Sequence, residues 1–211
     1  MVLKGQFLER PALIPVGGEV LEGLSHRGRE RPPLLILPPP PEEGGSMDHI
    51  VAAELAWAAA TAGFPTLRFN FRGVGASQGR HGTPADQAAD TRAALQLLAD
   101  NTGTQEVVVS SIGGSAALGL ELALQLPARG LVLVSPDRIA PESIAAFPRP
   151  LVVAVAELDT RLDRAALSEA VNRAGGRLVV VEKTDATFAR GLPLVGRAAV
   201  HLLKRLAPTP T

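Results

Sequence analysis

Residues 107–124 run Val-Val-Val-Ser-Ser-Ile-Gly-Gly-Ser-Ala-Ala-Leu-Gly-Leu-Glu-Leu-Ala-Leu. An apolar β-branched run, a turn of small residues and an apolar segment of helical length follow one another directly. A strand that passes straight into a helix returns by a crossover, so this unit points to a parallel sheet with helices packed on it. Val107, Val108 and Val109 are apolar in succession. That pattern belongs to a strand covered on both faces.

The same grammar recurs along the chain. Strands are predicted at 34–37 (Leu-Leu-Ile-Leu), 66–71, 106–109, 130–135, 151–156 and 177–181. Helices are predicted over 49–62, 84–100, 115–126, 163–174 and 194–206, with Asp48 as N-cap of the first and Gly63 at its end. Residues 5–26 read as a hairpin turning at Gly17-Gly18. Pro38 to Pro41 predict an extended, stiff segment. The fold class is α/β: one domain over 1–211, a doubly wound, mostly parallel sheet with an antiparallel N-terminal hairpin at one edge and no large cap domain. The tail 207–211 is expected to fray.

Composition narrows the function. Hydrophobic residues make up 46% of the 211 but aromatics only 3%, so the core is built from Ala, Leu and Val. Lys and Arg total 21, Asp and Glu 21, for a net charge of +0. That balance carries no polyanion footprint, so nucleic acid is not an expected partner. The chain has no cysteine, which excludes disulfides, thiolate zinc sites and a cysteine nucleophile. No H-x-x-x-H or clustered-carboxylate spacing suggests a metal, and no cofactor is expected. The N-terminal ten residues lack a signal-peptide core, and no apolar run approaches the roughly 18–20 residues of a membrane span. A cytoplasmic protein without a membrane partner is the expectation.

Three loops lie where ligands meet such a sheet, beyond the carboxyl ends of strands. Leu37-Pro38-Pro39-Pro40-Pro41-Glu42-Glu43-Gly44-Gly45-Ser46-Met47 is similar to the H-P-H-P-x-x-G-G-T/S-M segment of a small bacterial α/β-hydrolase family, the dienelactone-hydrolase-like, serine-esterase-type proteins. Residues 67–79, Leu-Arg-Phe-Asn-Phe-Arg-Gly-Val-Gly-Ala-Ser-Gln-Gly, resemble that family's L-R-F-N-F-R-G-V-G-x-S-x-G closely. The strand-turn-helix at 107–124 corresponds to its nucleophile elbow, normally G-x-S-x-G. The resemblance spans about residues 10–205. It implies an α/β-hydrolase fold and serine ester chemistry.

The departures concern the chemistry. Pro38 and Pro40 stand at the two histidines of H-P-H-P. The elbow reads Ser111-Ile112-Gly113-Gly114-Ser115-Ala116, so Gly113 falls at the nucleophile. The loop corresponding to the catalytic His reads Lys183-Thr184-Asp185-Ala186-Thr187-Phe188, with Ala186 at the His. In Ala156-Glu157-Leu158-Asp159 the triad acid remains, as Asp159. An acid orients a base, and the base activates a nucleophile; an acid alone does neither.

Each candidate also has a plain structural role. Ser110, Ser111 and Ser115 suit packing and helix capping, although Ser111 or Ser115 could be a migrated nucleophile. Gly113, Gly114 and Ser115 could instead present free N–H groups to an anion. Arg72 fits a structural turn or a contact to an acidic ligand. Asp159 fits a loop-organising acceptor. Glu42 and Glu43 read as solvated, or as repelling acidic substrates. The proline run serves as a rigid loop or as a proline-recognition ligand. Among the histidines, His81 and His49 border the predicted pocket, whereas His26 and His201 lie elsewhere.

The sequence therefore points to a catalytically degenerate α/β-hydrolase-fold protein that acts as a binding or protein-interaction module. Its expected ligand-binding residues are Pro40, Gly44, Gly45, Ser46, Arg72, Gly113, Gly114 and Ser115. A small molecule or a protein is the expected partner, with a homodimer open. The alternative is a carboxylic-ester hydrolase of small esters or lactones with a relocated nucleophile, Ser111 or Ser115, served by Asp159 and His81.

Overall fold

A computed structural model describes residues 7–208. The first residues of the predicted hairpin, 5–6, and the end of the predicted frayed tail, 209–211, lie outside them. Eight strands form one sheet: β1 Arg10–Val16, β2 Glu19–His26, β3 Leu34–Leu37, β4 Thr66–Phe69, β5 Val107–Ile112, β6 Ala128–Val134, β7 Leu151–Ala156 and β8 Arg177–Val181. Their order is β1-β2-β4-β3-β5-β6-β7-β8. The β1–β2 and β2–β4 pairs are antiparallel and the others parallel. The mostly parallel sheet with an antiparallel edge is thus as the sequence predicts.

Among the described residues five helices connect strands, α1 Ile50–Thr61, α2 Pro84–Thr102, α3 Ala116–Gln125, α4 Pro141–Ala145 and α5 Arg164–Arg173, and α6 Leu192–Leu206 follows β8. Alternate strand residues feed two cores. Leu35, Leu37, Val107, Val109, Val153 and Val155 pack with side chains of α2, α3 and α5. Leu34, Ile36, Val108, Val152 and Ala154 pack with α1 and α6. Period-two side-chain alternation in a doubly covered sheet produces this division.

Local signals set the ends. Thr83 and Asp86 form a capping box at the start of α2, Pro84 occupies its first turn, and Gly103 closes it in the left-handed region at φ +70°. The structure corrects the reading in three places. The N-cap of α1 is His49, not Asp48: the imidazole accepts from the Val51 N–H, and Asp48 instead faces Arg68 at 3.3 Å. The proline run is not extended throughout, because Pro41 opens a 3-10 turn, Pro41–Glu43. Helix α4 was not predicted, although proline suits the first position of its single turn.

The chain leaves β3 toward β4 on one side, and β5 pairs on the other. Strand order therefore reverses between β3 and β5, where open α/β sheets place their ligand crevice.

Candidate functional site

A cleft of about 780 Å³ opens at that reversal. Its walls come from the loops after β3 (Pro39, Glu43, Gly44, Gly45), β5 (Gly113), β6 (Asp137, Arg138), β7 (Arg161) and β8 (Ala186, Thr187, Phe188), with His49 from the start of α1. Five separate segments meet here because parallel strands deliver all their outgoing loops to one edge.

Gly113 is the first residue after β5, and its φ is +57°. This is the sharp strand-to-helix turn in which a hydrolase of this architecture carries its nucleophile. A Cβ on Gly113 would lie 3.3 Å from Glu43 Oε2, and one on Gly114 would collide with Glu43 Oε1. Glu43 is exposed, as expected, but its side chain is engaged and is not free in solvent. Its carboxylate accepts the Gly114 N–H at 3.4 Å and pairs with Arg138 at 3.2 Å. A helix N-terminus stabilises a negative charge, and here the chain supplies that charge itself.

Asp159 follows β7, and its side chain is only 2% exposed. Arg161 chelates it: Nε donates to Oδ1 at 3.0 Å and Nη2 to Oδ2 at 2.9 Å, while Nη1 reaches Asp137 at 3.0 Å. Burial alone would push the Asp159 carboxyl up, but the hydrogen bonds and charge of Arg161 hold it below the usual carboxylate range. The Ser135 hydroxyl stands beside this carboxylate, adding slightly to the effect without reaching hydrogen-bond geometry. Ser135 itself sits at φ +43°, strained for a residue with a Cβ.

The other site candidates are placed as follows. Ser111 is fully buried in β5, its hydroxyl unpartnered and packed against Gly119 of α3. The Ser115 hydroxyl donates to the Pro38 carbonyl at 2.6 Å and is buried. Ser110 donates to the Leu35 carbonyl at 3.2 Å. His81 contacts the Gly73 carbonyl at 3.1 Å and lies outside the cleft. Of the expected ligand-binding residues, Gly44, Gly45 and Gly113 line the cleft, whereas Pro40, Ser46, Arg72, Gly114 and Ser115 do not. Pro40 packs behind Gly114, and the Ser46 hydroxyl accepts the Asp48 N–H at 3.2 Å.

The 67–79 segment turns out to be a set of struts. Arg68 donates to the Met47 carbonyl at 2.5 Å and pairs with Glu9 at 2.8 Å. Asn70 accepts the Met47 N–H at 2.6 Å and donates to Glu22 at 2.7 Å. Arg72 grips the fully buried Asp90 at 2.6 Å and Asp86 at 3.1 Å. These contacts fix the loop after β3 and the start of α2 from beneath, and none of the three residues lines the cleft. Sequence reasoning set Glu43 beside the site without its contact to the 113–114 turn, and missed Arg138, Arg161 and Asp137 as site residues. The closest signal was Arg161, two positions from the acid it holds. Among the described residues no cluster of His, Asp and Glu could hold a metal ion, and no helix is long and apolar enough to cross a membrane.

No family model and no curated protein matches the sequence. Solved structures do match the fold. A protein of unknown function from Agrobacterium tumefaciens superposes with a TM-score of 0.80 at 22% identity, over 95% of this chain and 100% of the other. A serine hydrolase without a lid from Xanthomonas campestris gives 0.80 at 22%, over 96% and 97%. A serine hydrolase homologue from Coxiella burnetii gives 0.74 at 24%, over 93% and 95%. The architecture, edge hairpin included, is the α/β-hydrolase fold.

Proposed function

We propose that this chain, an α/β-hydrolase fold, is a binding protein whose cleft takes a small molecule or a segment of a protein partner and performs no serine hydrolysis. The observation that carries this reading is Glu43 standing over Gly113, where a nucleophile's side chain would be. Acyl transfer by this fold needs a nucleophile, a base oriented by an acid, and two N–H donors for the oxyanion. Here residue 113 has no side chain and residue 186 is an alanine. Asp159 is occupied by Arg161. The Gly114 N–H, the first oxyanion donor by position, already faces a carboxylate. The second donor comes from the loop after β3, where four successive prolines offer no N–H.

A second reading is a serine hydrolase of small esters or lactones with a relocated nucleophile. The names of similar structures from Xanthomonas campestris and Coxiella burnetii favour it over the first. In this chain it would draw on Ser111 or Ser115, both of which are buried away from the cleft.

A fluorophosphonate probe and a panel of acyl esters separate the two. No labelling and no turnover above buffer supports the binding protein. Stoichiometric labelling that disappears in Ser111→Ala or Ser115→Ala establishes the hydrolase and overturns the proposal.

A further inference from the structure

The sheet has two edges, and the chain treats them differently. At one, β1 carries Pro11 and Pro15, residues that remove N–H groups from an edge strand. At the other, β8 reads Arg177-Leu178-Val179-Val180-Val181 and has no proline. Outside its ladder with β7, the backbone N–H and C=O groups of Arg177, Leu178, Val179 and Val180 make no hydrogen bond among the described residues. A strand edge left open in this way is a template for another strand.

An open groove of about 450 Å³ runs beside that edge, between β8 and the outer flank of α6. Arg177 and Val179 of β8 and Leu194, Arg197, His201 and Lys204 of α6 line it, and no acidic residue does. All of these but Val179 are exposed. Arg177, Arg197 and Lys204 take part in none of the ion pairs formed among the described residues. Glu54 of α1 lies with Arg197 in the groove on the other side of α6, and acts on it only from beyond ion-pair distance. The chain as a whole is neutral, so these cations are a local excess. The dipole of α6 offsets part of the charge of Lys204, in its last turn, but not that of Arg177 or Arg197.

We propose that β8 takes an extended segment of a protein partner as a further strand, and that this segment is acidic at the residues facing α6. Side chains alternate between the two faces of a strand. Val179 packs against the core formed with α1 and α6, and Leu178 against the core on the other face. Every second residue of an added strand therefore lies on the α6 side, beside Arg197, His201 and Lys204. The intervening residues lie beside Leu178 and Val180, and Val180 is 38% exposed, so apolar side chains suit them. Main-chain bonds supply the affinity of such an addition, and alternate side chains its selectivity. Two other occupants fit less well. A second copy joined through β8 about a two-fold axis sets the row of cations against its own image. A lipid surface attracts the cations but forms no ladder with the strand edge. This inference does not depend on the reading of the cleft.

The test is calorimetric titration of the full chain with three capped hexapeptides: Glu-Val-Glu-Val-Glu-Val, its counterpart Lys-Val-Lys-Val-Lys-Val, and the glutamate peptide with every amide N-methylated. Binding of the first is expected, and none of the other two. Arg197→Gln and Lys204→Gln should each weaken it about threefold, the scale of one exposed ion pair. Arg92→Gln on α2, a helix that packs against β1, β3 and β4, should leave it unchanged. No heat with the glutamate peptide overturns the proposal. Equal binding of the lysine peptide overturns it by removing the charge selectivity, and equal binding of the methylated peptide by removing the strand pairing. Equal weakening by all three variants would mark diffuse electrostatics and overturn it too. A dimer in sedimentation equilibrium that is lost in Val180→Lys would give the edge to a second copy instead. Co-pelleting with phosphatidylserine vesicles, lost in Arg197→Gln and unaffected by the glutamate peptide, would give the surface to a membrane.

Discussion

Glu43 accepts the N–H of Gly114 at 3.4 Å, and the two residues lie 71 positions apart in the chain. The contact exists because β3 and β5 are hydrogen-bonded neighbours, which sets the loop after β3 directly over the turn after β5. Arg138 on the β6 loop anchors the same carboxylate at 3.2 Å. Three consecutive neighbours in the sheet thus converge on the position where the fold's chemistry would begin.

Restoring a serine is therefore not expected to restore activity by itself. Gly113→Ser places a Cβ at φ +57°, costing about 1 kcal/mol in left-handed backbone. It also presses the new side chain against Glu43. The Gly113→Ser, Ala186→His double variant should stay unlabelled by a fluorophosphonate, and adding Glu43→Ala should permit labelling. Rates measured by active-site titration decide it. Equal labelling of the double and triple variants would show that Glu43 is no obstacle.

The Asp159–Arg161 pair gives a second prediction. Asp159 is 2% exposed and Arg161 48%, so the pair is half-solvated and worth less than a fully buried one. Arg161→Met should cost about 1–3 kcal/mol at neutral pH, since it leaves a buried carboxylate short of a partner. The folded carboxyl titrates below its ordinary 3.8. Its contribution is then fully present above that pH and vanishes as pH falls through the lowered folded value. Urea denaturation at pH 7 and pH 3 should show the gap between wild type and variant closing in acid. A gap that widens in acid would refute the assignment.

Much of this architecture is legible in the chain. Runs such as Leu34–Leu37 and Leu151–Ala156 carry their own signal, because a strand buried on both faces is apolar at every position. The empty nucleophile position is legible too, since Gly113 sits between a readable strand and a readable helix. What fills it is not. The partnership of Glu43 with Gly114 depends on which strands are neighbours, and local sequence does not encode that. Asp48 was a reasonable cap by propensity, but Arg68, 20 residues away, takes its carboxylate and leaves the cap to His49. Arg72 looked like a possible ligand contact until the folded chain brought Asp90 to it across 18 residues.

His49 supports α1 only while its ring is neutral, because Nδ1 accepts the Val51 N–H. Burial holds its pKa below the ordinary 6.5. A depressed folded pKa means stability that is present above 6.5 and lost as pH falls through the folded value. Melting temperatures should therefore drop on the acid side of pH 6.5. His49→Ser keeps a capping oxygen without a titrating ring, so its acid drop should be smaller. Buried His26, also shifted down, leaves a residual slope. Identical pH profiles for wild type and His49→Ser would remove His49 from this account.

Arg72 should behave as a clamp. Its guanidinium contacts both oxygens of fully buried Asp90, and its backbone N–H donates to the same carboxylate. Arg72→Met strands that charge and should cost roughly 3 kcal/mol. Arg72→Lys should recover only part, since an ammonium cannot reproduce the fork. Chemical denaturation of the three proteins checks the order. A lysine variant as stable as wild type would reduce the clamp to simple charge pairing.

The two elbow serines should respond in opposite ways, for reasons unrelated to catalysis. The Ser111 hydroxyl is buried without a partner, so its polar group is desolvated for no return. Ser111→Ala should leave stability unchanged or raise it slightly. Ser115 donates to the Pro38 carbonyl at 2.6 Å, bracing the proline loop against the start of α3. Ser115→Ala should cost about 1–2 kcal/mol, because the carbonyl loses a buried donor. Denaturation midpoints read the stabilities, and fluorophosphonate labelling of the same variants should remain at background throughout. If Ser111→Ala destabilised the chain by more than Ser115→Ala, Ser111 would have to hold a partner that its position against Gly119 does not provide.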